Sequence, residues 1–172
     1  QGKCNPLDYG FAIKWTSSVP PQSLITRYVS YPLLRIPEIE KKILSHYSER
    51  KDLIPCQTAL QLLYLAAQKV TDWDIKYGEV IDPGTSRYSF DLNVYRCKMK
   101  VQEIRPLLCN ILRYFNISDN TFLPIYESAK QKSMGHLTGG ITRNGKEFFT
   151  LYYGFTEYRW KKTIQMGLRS LP

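Results

Sequence analysis

The residues from Gly78 to Arg96 restrict the fold more than any other segment, because they predict two strands joined by a tight turn. The turn itself is Asp82-Pro83-Gly84-Thr85, in which proline fixes one backbone dihedral and glycine accepts a positive one. Side chains at alternate positions of a strand lie on opposite faces. In the second strand, the apolar set is Tyr88, Phe90, Leu92 and Val94, and the polar set is Arg87, Ser89, Asp91, Asn93 and Tyr95. The sequence therefore predicts a strand with one face packed on helices and one polar face, which lines either solvent or a cavity.

The other segments predict further strands and helices around this hairpin. Alternation of Phe11, Ile13 and Trp15 predicts a strand over residues 9–16, whereas four prolines mark residues 19–37 as an irregular or extended connector. Apolar residues at three- and four-residue spacing predict helices over residues 38–50, 57–70 and 104–115. Two alternating runs around Asn144-Gly145 predict a closing hairpin over residues 135–154.

The predicted order is therefore strand, two helices, hairpin, helix, hairpin. This order is typical of an α+β fold with an antiparallel sheet of hairpins and helices on one outer face. The length of 172 residues suits a single domain spanning 1–172.

Composition adds information about partners and compartment. The net charge of +9 favours anionic partners, which include nucleic acid, a membrane surface or a small diphosphate. Four widely spaced cysteines argue against a zinc site and favour reduced thiols in a cytoplasmic protein. No stretch approaches the eighteen or so apolar residues of a transmembrane helix, so a soluble protein is expected.

Three segments together resemble a known family. They are IKYGEVIDPGTSRYSFDLNVYR, the following helix that ends in LRYFN, and the terminal hairpin HLTGGITRNGKEFFTLYYGF. In order and spacing they resemble the C-terminal part of ABBA-fold aromatic prenyltransferases of the dimethylallyltryptophan-synthase type. The resemblance implies a barrel-like or partial antiparallel barrel around a polar chamber, with this chain contributing up to half of a larger barrel.

The resemblance also implies roles for individual residues. Basic and amide side chains would hold an allylic diphosphate, and tyrosines would shield the allylic cation; the diphosphate group comprises Lys14, Lys76, Arg87 and Asn93, and the shielding group comprises Tyr95, Tyr152 and Tyr153. The implied reaction is prenyl transfer to an aromatic small molecule or peptide by electrophilic substitution. It assigns no catalytic proton acceptor in this chain, no tightly bound cofactor and no metal site, and it leaves a role for Mg²⁺ open.

Two other interpretations of the same residues remain open. Lys14, Lys76 and Arg87 are also typical of solvated charges on a sheet surface, and a basic, tyrosine-rich sheet is suited to binding single-stranded nucleic acid, the less favoured partner. The second is a non-catalytic interaction subunit, because an unclosed sheet leaves open edges that a homo-oligomer or a partner chain would complete.

Overall fold

The computed structural model describes residues 6–15, 23–82, 88–142 and 144–154. These residues form six strands: β1 Leu7–Trp15, β2 Ser23–Tyr31, β3 Lys76–Ile81, β4 Tyr88–Asn93, β5 Met134–Ile141 and β6 Glu147–Tyr153. They also form four α-helices: α1 Ile36–His46, α2 Ile54–Ala67, α3 Arg105–Tyr114 and α4 Asp119–Ala129. Short 3₁₀ turns occur at Asp72–Asp74, Tyr95–Cys97 and Val101–Ile104.

The strands make one antiparallel sheet in the order β1-β2-β3-β4-β5-β6. Each strand therefore pairs with its neighbours along the chain, and pairs of helices fill the connections between β2 and β3 and between β4 and β5. The predicted α+β class with an antiparallel sheet of hairpins is confirmed. Among the described strands, β1 and β6 each pair on one side only, so this sheet is not closed into a barrel.

The helices pack against one face of the sheet and enclose the hydrophobic core. Phe90, Leu92 and Leu137 are fully buried on that face, together with Leu62 and Leu63 of α2. Complete burial of a large apolar side chain contributes about 2–3 kcal/mol. The apolar side of the 88–93 strand thus packs on helices, as its alternation predicts.

Helix α1 shows how local sequence sets an element. Pro37 lies in the first turn, and Glu38 accepts a hydrogen bond from the backbone N–H of Arg35 at 2.8 Å, which satisfies a donor at the helix start. Ile39 and Ile43 then fall on one side of the helix and are fully buried. The same spacing that predicts the helix therefore orients it on the sheet.

Two elements differ from the sequence prediction. The connector predicted over residues 19–37 contains strand β2, which lies between Pro21 and Pro32 and has a charged residue, Arg27, between Ile25 and Val29 on one of its faces. Helix α4 was not predicted, because Pro124 lies inside it. Ser118 begins this helix by accepting a hydrogen bond from the backbone N–H of Thr121 at 3.3 Å. With α4 included, the β2–β3 and β4–β5 connections each contain two helices.

The other predicted helices and strands are present in the structure, but they begin and end at different residues from those predicted. The three predicted helices are observed as α1, α2 and α3, and the closing hairpin as β5 and β6.

Cys56, Cys97 and Cys109 are free thiols. Residues 83–87, which include most of the predicted turn, lie outside the described residues. No helix in the described ranges is both long and apolar enough to cross a membrane.

Candidate functional site

Four polar or aromatic residues line up across the sheet on the face opposite the helices. The strand register places Lys76 opposite Asn93, Asn93 opposite His136, and His136 opposite Tyr152. We call these four residues the polar row. Directly opposed side chains in antiparallel strands have Cβ atoms about 4.5–5.5 Å apart. The row therefore sets an ammonium, an amide, an imidazole and a phenol side by side along one line.

His136 is held by a carboxylate from the neighbouring strand. Its Nδ1 lies 2.8 Å and 2.9 Å from the two carboxylate oxygens of Asp91. A neutral imidazole in this position carries its proton on Nδ1 and donates it to Asp91, which leaves the lone pair of Nε2 available. Both side chains remain partly accessible, at 24% for His136 and 29% for Asp91. The pair is thus oriented and reachable from the polar face.

Two tyrosines flank this histidine. The rings of His136 and Tyr152 stack with centroids 4.1 Å apart at an interplanar angle of 20°. The ring of Tyr95 lies 5.9 Å from that of His136. Burial, and then the nearby Asp91 carboxylate, raise the pKa of the Tyr95 phenol, so it stays a hydrogen-bond donor at neutral pH. The histidine therefore lies between two aromatic groups.

A local irregularity makes room for Tyr95. The β5–β6 register shifts between Met134 and His136, which leaves Gly135 in a bulge. A Cβ atom at Gly135 would lie 2.7 Å from Cε1 of Tyr95, so only glycine fits beneath this ring without displacing it.

Among the described residues, the side chain of Asn93 makes a hydrogen bond through its oxygen and none through its NH₂ group. Its Oδ1 accepts a hydrogen bond from the backbone N–H of Tyr95 at 3.2 Å, which stabilises the turn after β4. The side-chain NH₂ group of Asn93 remains a donor on the polar face. Lys76, at the start of β3, is exposed. These two neighbours supply a cation and an amide donor, the groups that hold a phosphate oxygen.

The structure brings together some of the residues predicted as a site and separates others. Lys76, Asn93 and Tyr152 lie in the polar row, and Tyr95 lies beside it. Tyr153 is on the opposite face, packed against the core with Nζ of Lys132 at 5.6 Å from its ring centroid. The backbone of Lys14 lies in β1 opposite Leu24, and its side chain is outside the described residues. All of Arg87 also lies outside them.

Sequence reasoning did not find the Asp91–His136 pair. Asp91 was placed on the polar face, but no role was assigned to His136. The signal that unites them is the pairing of β4 with β5, which sets His136 opposite Asn93 and diagonally next to Asp91. That register joins distant parts of the chain and cannot be read from either strand alone.

A second polar cluster lies on the helix face and has a different character. Glu79, 2% exposed, accepts hydrogen bonds from Tyr31 Oη at 2.7 Å and Lys42 Nζ at 2.9 Å. Burial acts to raise the pKa of Glu79, but the His46 imidazole 3.6 Å away and the hydrogen bonds from Tyr31 and Lys42 lower it to about 2. The cluster is enclosed between α1 and the sheet, so it anchors the helix and is not open to a ligand.

A groove of about 540 Å³ lies between α3 and α4 on the outer side of the molecule. Arg105 and Arg113 line it together with Leu112 and Phe122. The polar row contributes nothing to this groove. Among the described residues, no three His, Cys, Asp or Glu side chains are placed to hold a metal ion.

Comparison of the chain with protein-family models, curated proteins and solved structures found no match in any of the three. The fold defines an α+β protein with an open antiparallel sheet and a helical layer. What the polar face does must therefore be inferred from its own geometry and chemistry.

Proposed function

We propose that this protein binds an allylic diphosphate on its polar face and transfers the prenyl group to an electron-rich aromatic ring. The observation that carries the proposal is the polar row with Tyr95 beside it, in which an ammonium and an amide lie next to an imidazole flanked by two phenols. Lys76 and Asn93 would hold the diphosphate, and Tyr152 and Tyr95 would face the allylic carbon atoms.

Each half of the row matches one need of the reaction. A diphosphate leaving group is stabilised by fixed cations and amide donors, because negative charge develops on it as the C–O bond breaks. An allylic cation is stabilised by the π faces of aromatic rings, which also shield it from water. Lys76 and Asn93 are opposed on β3 and β4, while the Tyr152 and Tyr95 rings lie on the two sides of His136.

The cation must also be enclosed, and the sheet as described has two open edges. On β1 and β2, Phe11, Ile13 and Ile25 are 65%, 59% and 52% exposed on the face that helices cover elsewhere. Exposed apolar side chains next to an unpaired strand edge favour association. We propose that further strands, from a second copy or a partner chain, extend the sheet towards an ABBA-like barrel and close the chamber. A cytoplasmic location is part of the same proposal.

Binding of single-stranded nucleic acid is the competing use of a basic, tyrosine-rich face. It requires aromatic rings free to stack on bases, with backbone phosphates on flanking cations. Tyr152 already stacks on His136, and the Asp91 carboxylate lies beside them. The carboxylate repels both anionic ligands, so the preference for a small diphosphate rests on Tyr152, one face of which is already covered by His136 and is not open to a base.

Calorimetric titration with dimethylallyl S-thiolodiphosphate, which resists ionisation, tests the proposal. The wild-type protein should bind it, and Lys76→Ala should weaken binding about tenfold through loss of one charge-assisted contact. Lys51→Ala is the matched control, because Lys51 is exposed in the turn after α1, on the helix side. Equal weakening by both variants would mean that net charge alone attracts the ligand. Absence of binding, with salt-sensitive binding of oligothymidylate instead, would favour the nucleic-acid alternative.

A further inference from the structure

We infer that His136 accepts the aromatic proton in the proposed prenyl transfer and that Asp91 is its positioning residue. The inference rests on the proposed function and deepens it, because electrophilic substitution on a ring needs a group that removes a proton. The geometry points to His136 because its Nδ1 lies 2.8 Å and 2.9 Å from the two carboxylate oxygens of Asp91.

The reaction balances as follows at the level of bonds. The allylic C–O bond breaks and its electron pair leaves with the diphosphate. A π pair of the aromatic ring forms the new C–C bond, and the substituted ring carbon then carries both the prenyl group and a hydrogen. Nε2 of His136 bonds to that hydrogen as a proton, the C–H pair restores the aromatic ring, and the resulting imidazolium later gives its proton to water.

The orientation of the imidazole suits this role. With Nδ1–H donated to Asp91, Nε2 presents its lone pair, and it has no hydrogen-bond partner within the part of the chain that the structure describes. The carboxylate then stabilises the imidazolium that forms, as a carboxylate does for histidine bases elsewhere. The imidazole also lies next to Tyr152, one of the rings proposed to face the allylic carbon.

Neighbouring groups are less suited to take the proton. The oxygens of Asp91 face Nδ1, and the Tyr95 phenol remains protonated at neutral pH because burial and Asp91 raise its pKa. The groups that face His136 are Asp91 from β4, Tyr95 from the following 3₁₀ turn and Tyr152 from β6, with Lys76 further along the same row. Asp91 is the one anion in this set, and it favours the protonated state that the step creates.

The test combines binding, transfer and chemical rescue. The donor is dimethylallyl diphosphate, the acceptors are N-acetyltryptophanamide and N-acetyltyrosinamide, and binding is measured with the S-thiolodiphosphate. In His136→Ala, binding should stay within about threefold of wild type, while transfer falls about 10²- to 10⁴-fold, the usual contribution of a general base. Added imidazole should restore part of the rate, an effect that a purely structural histidine would not show. Asp91→Asn should lower transfer and leave binding intact.

His136→Gln keeps a polar side chain of similar length and is the control for misfolding of the alanine variant. It should also lose transfer. A ring-deuterated acceptor should slow the His136→Ala reaction more than the wild-type reaction, because proton loss becomes rate-limiting. Wild-type rates in both His136 variants would overturn the inference and leave the proposed function standing. Loss of ligand binding in proportion to the loss of rate would overturn it too, by making His136 a diphosphate ligand. A wild-type protein that neither binds the analogue nor transfers to either acceptor would instead contradict the proposed function.

Discussion

His136 and Tyr152 are opposed on β5 and β6, and their rings stack with centroids 4.1 Å apart and planes inclined by 20°. This contact joins the closing hairpin to the Asp91 carboxylate on β4 through a single imidazole. The phenol, the imidazole and the carboxylate therefore form one continuous contact across three strands. Substitutions of Tyr152, at one end of this contact, should therefore alter the rate of prenyl transfer without disturbing the hydrophobic core on the other face of the sheet.

Replacing Tyr152 tests whether its ring acts on the cation. Tyr152→Phe keeps the π face and should transfer the dimethylallyl group at close to the wild-type rate. Tyr152→Leu removes the face and should lower the rate about twofold to thirtyfold, the range expected from a cation–π contact of about 0.5–2 kcal/mol. The comparison is made by measuring kcat for both variants at saturating dimethylallyl diphosphate. Equal rates for the two variants would show that the ring contributes only bulk.

Asn93→Asp separates the two functions of this side chain. The carboxylate can still accept the hydrogen bond from the backbone N–H of Tyr95, so the thermal midpoint should change little. The NH₂ donor is replaced by negative charge, which should weaken binding of the thiolodiphosphate by about tenfold or more. Calorimetry and thermal unfolding on the same sample provide both values. Unchanged affinity would remove Asn93 from the diphosphate site.

Glu79→Gln tests the buried cluster beneath α1. The folded-state pKa of about 2 lies below the ordinary value of 4.5, so the ionised carboxylate stabilises the fold. This contribution, on the order of 3 kcal/mol, is present above about pH 4.5 and is lost as the pH falls towards 2. The variant should therefore have a lower free energy of unfolding at pH 7 and a weaker pH dependence below 4.5. Urea unfolding between pH 3 and pH 7 measures both quantities.

Glu103→Gln is the control for that experiment. Glu103 also pairs with a lysine, Lys69 at 2.7 Å, but both side chains are more than a third exposed. An exposed pair contributes about 0–1 kcal/mol. A loss as large in Glu103→Gln as in Glu79→Gln would show that burial is not what gives the Glu79 cluster its strength.

Gly135→Ala tests the space beneath Tyr95. The added methyl group would lie 2.7 Å from Cε1 of Tyr95, so the outer end of this partly exposed ring must move, at a cost of about 1 kcal/mol, the lower end for overpacking. Gly10→Ala in β1 meets no atom within 4 Å and should change stability by less than about 0.5 kcal/mol. Thermal unfolding of both variants makes the comparison. Equal stability would indicate that Tyr95 does not lie against Gly135 in solution.

Local alternation predicted much of the sheet and its two faces. The faces of Phe90, Leu92 and Asn93 followed from period-two spacing within one strand, and helix α3 followed from its three- and four-residue spacing. Strand β2 and helix α4 did not, because prolines lie on both sides of the strand and inside the helix. For β2, it is pairing with β1 and β3 that makes it a strand, and this is tertiary context.

The candidate site could be predicted only in part for a related reason. Lys76, Asn93 and Tyr152 were identified from composition and resemblance, but their alignment depends on three separate strand registers. Tyr152 and Tyr153 could not be told apart without the β5–β6 register, which sets Tyr152 opposite His136 and Tyr153 opposite the buried Met134. His136 is a candidate proton acceptor because its Nδ1 is hydrogen-bonded to Asp91, a residue distant in sequence.

The decisive experiment is a crystal structure of the protein with dimethylallyl S-thiolodiphosphate bound. The diphosphate should lie within hydrogen-bonding distance of Lys76 Nζ and Asn93 Nδ2, with the dimethylallyl group against the rings of Tyr152 and Tyr95. The same ligand seated between Arg105 and Arg113 in the α3–α4 groove, with the polar row unoccupied, would contradict it.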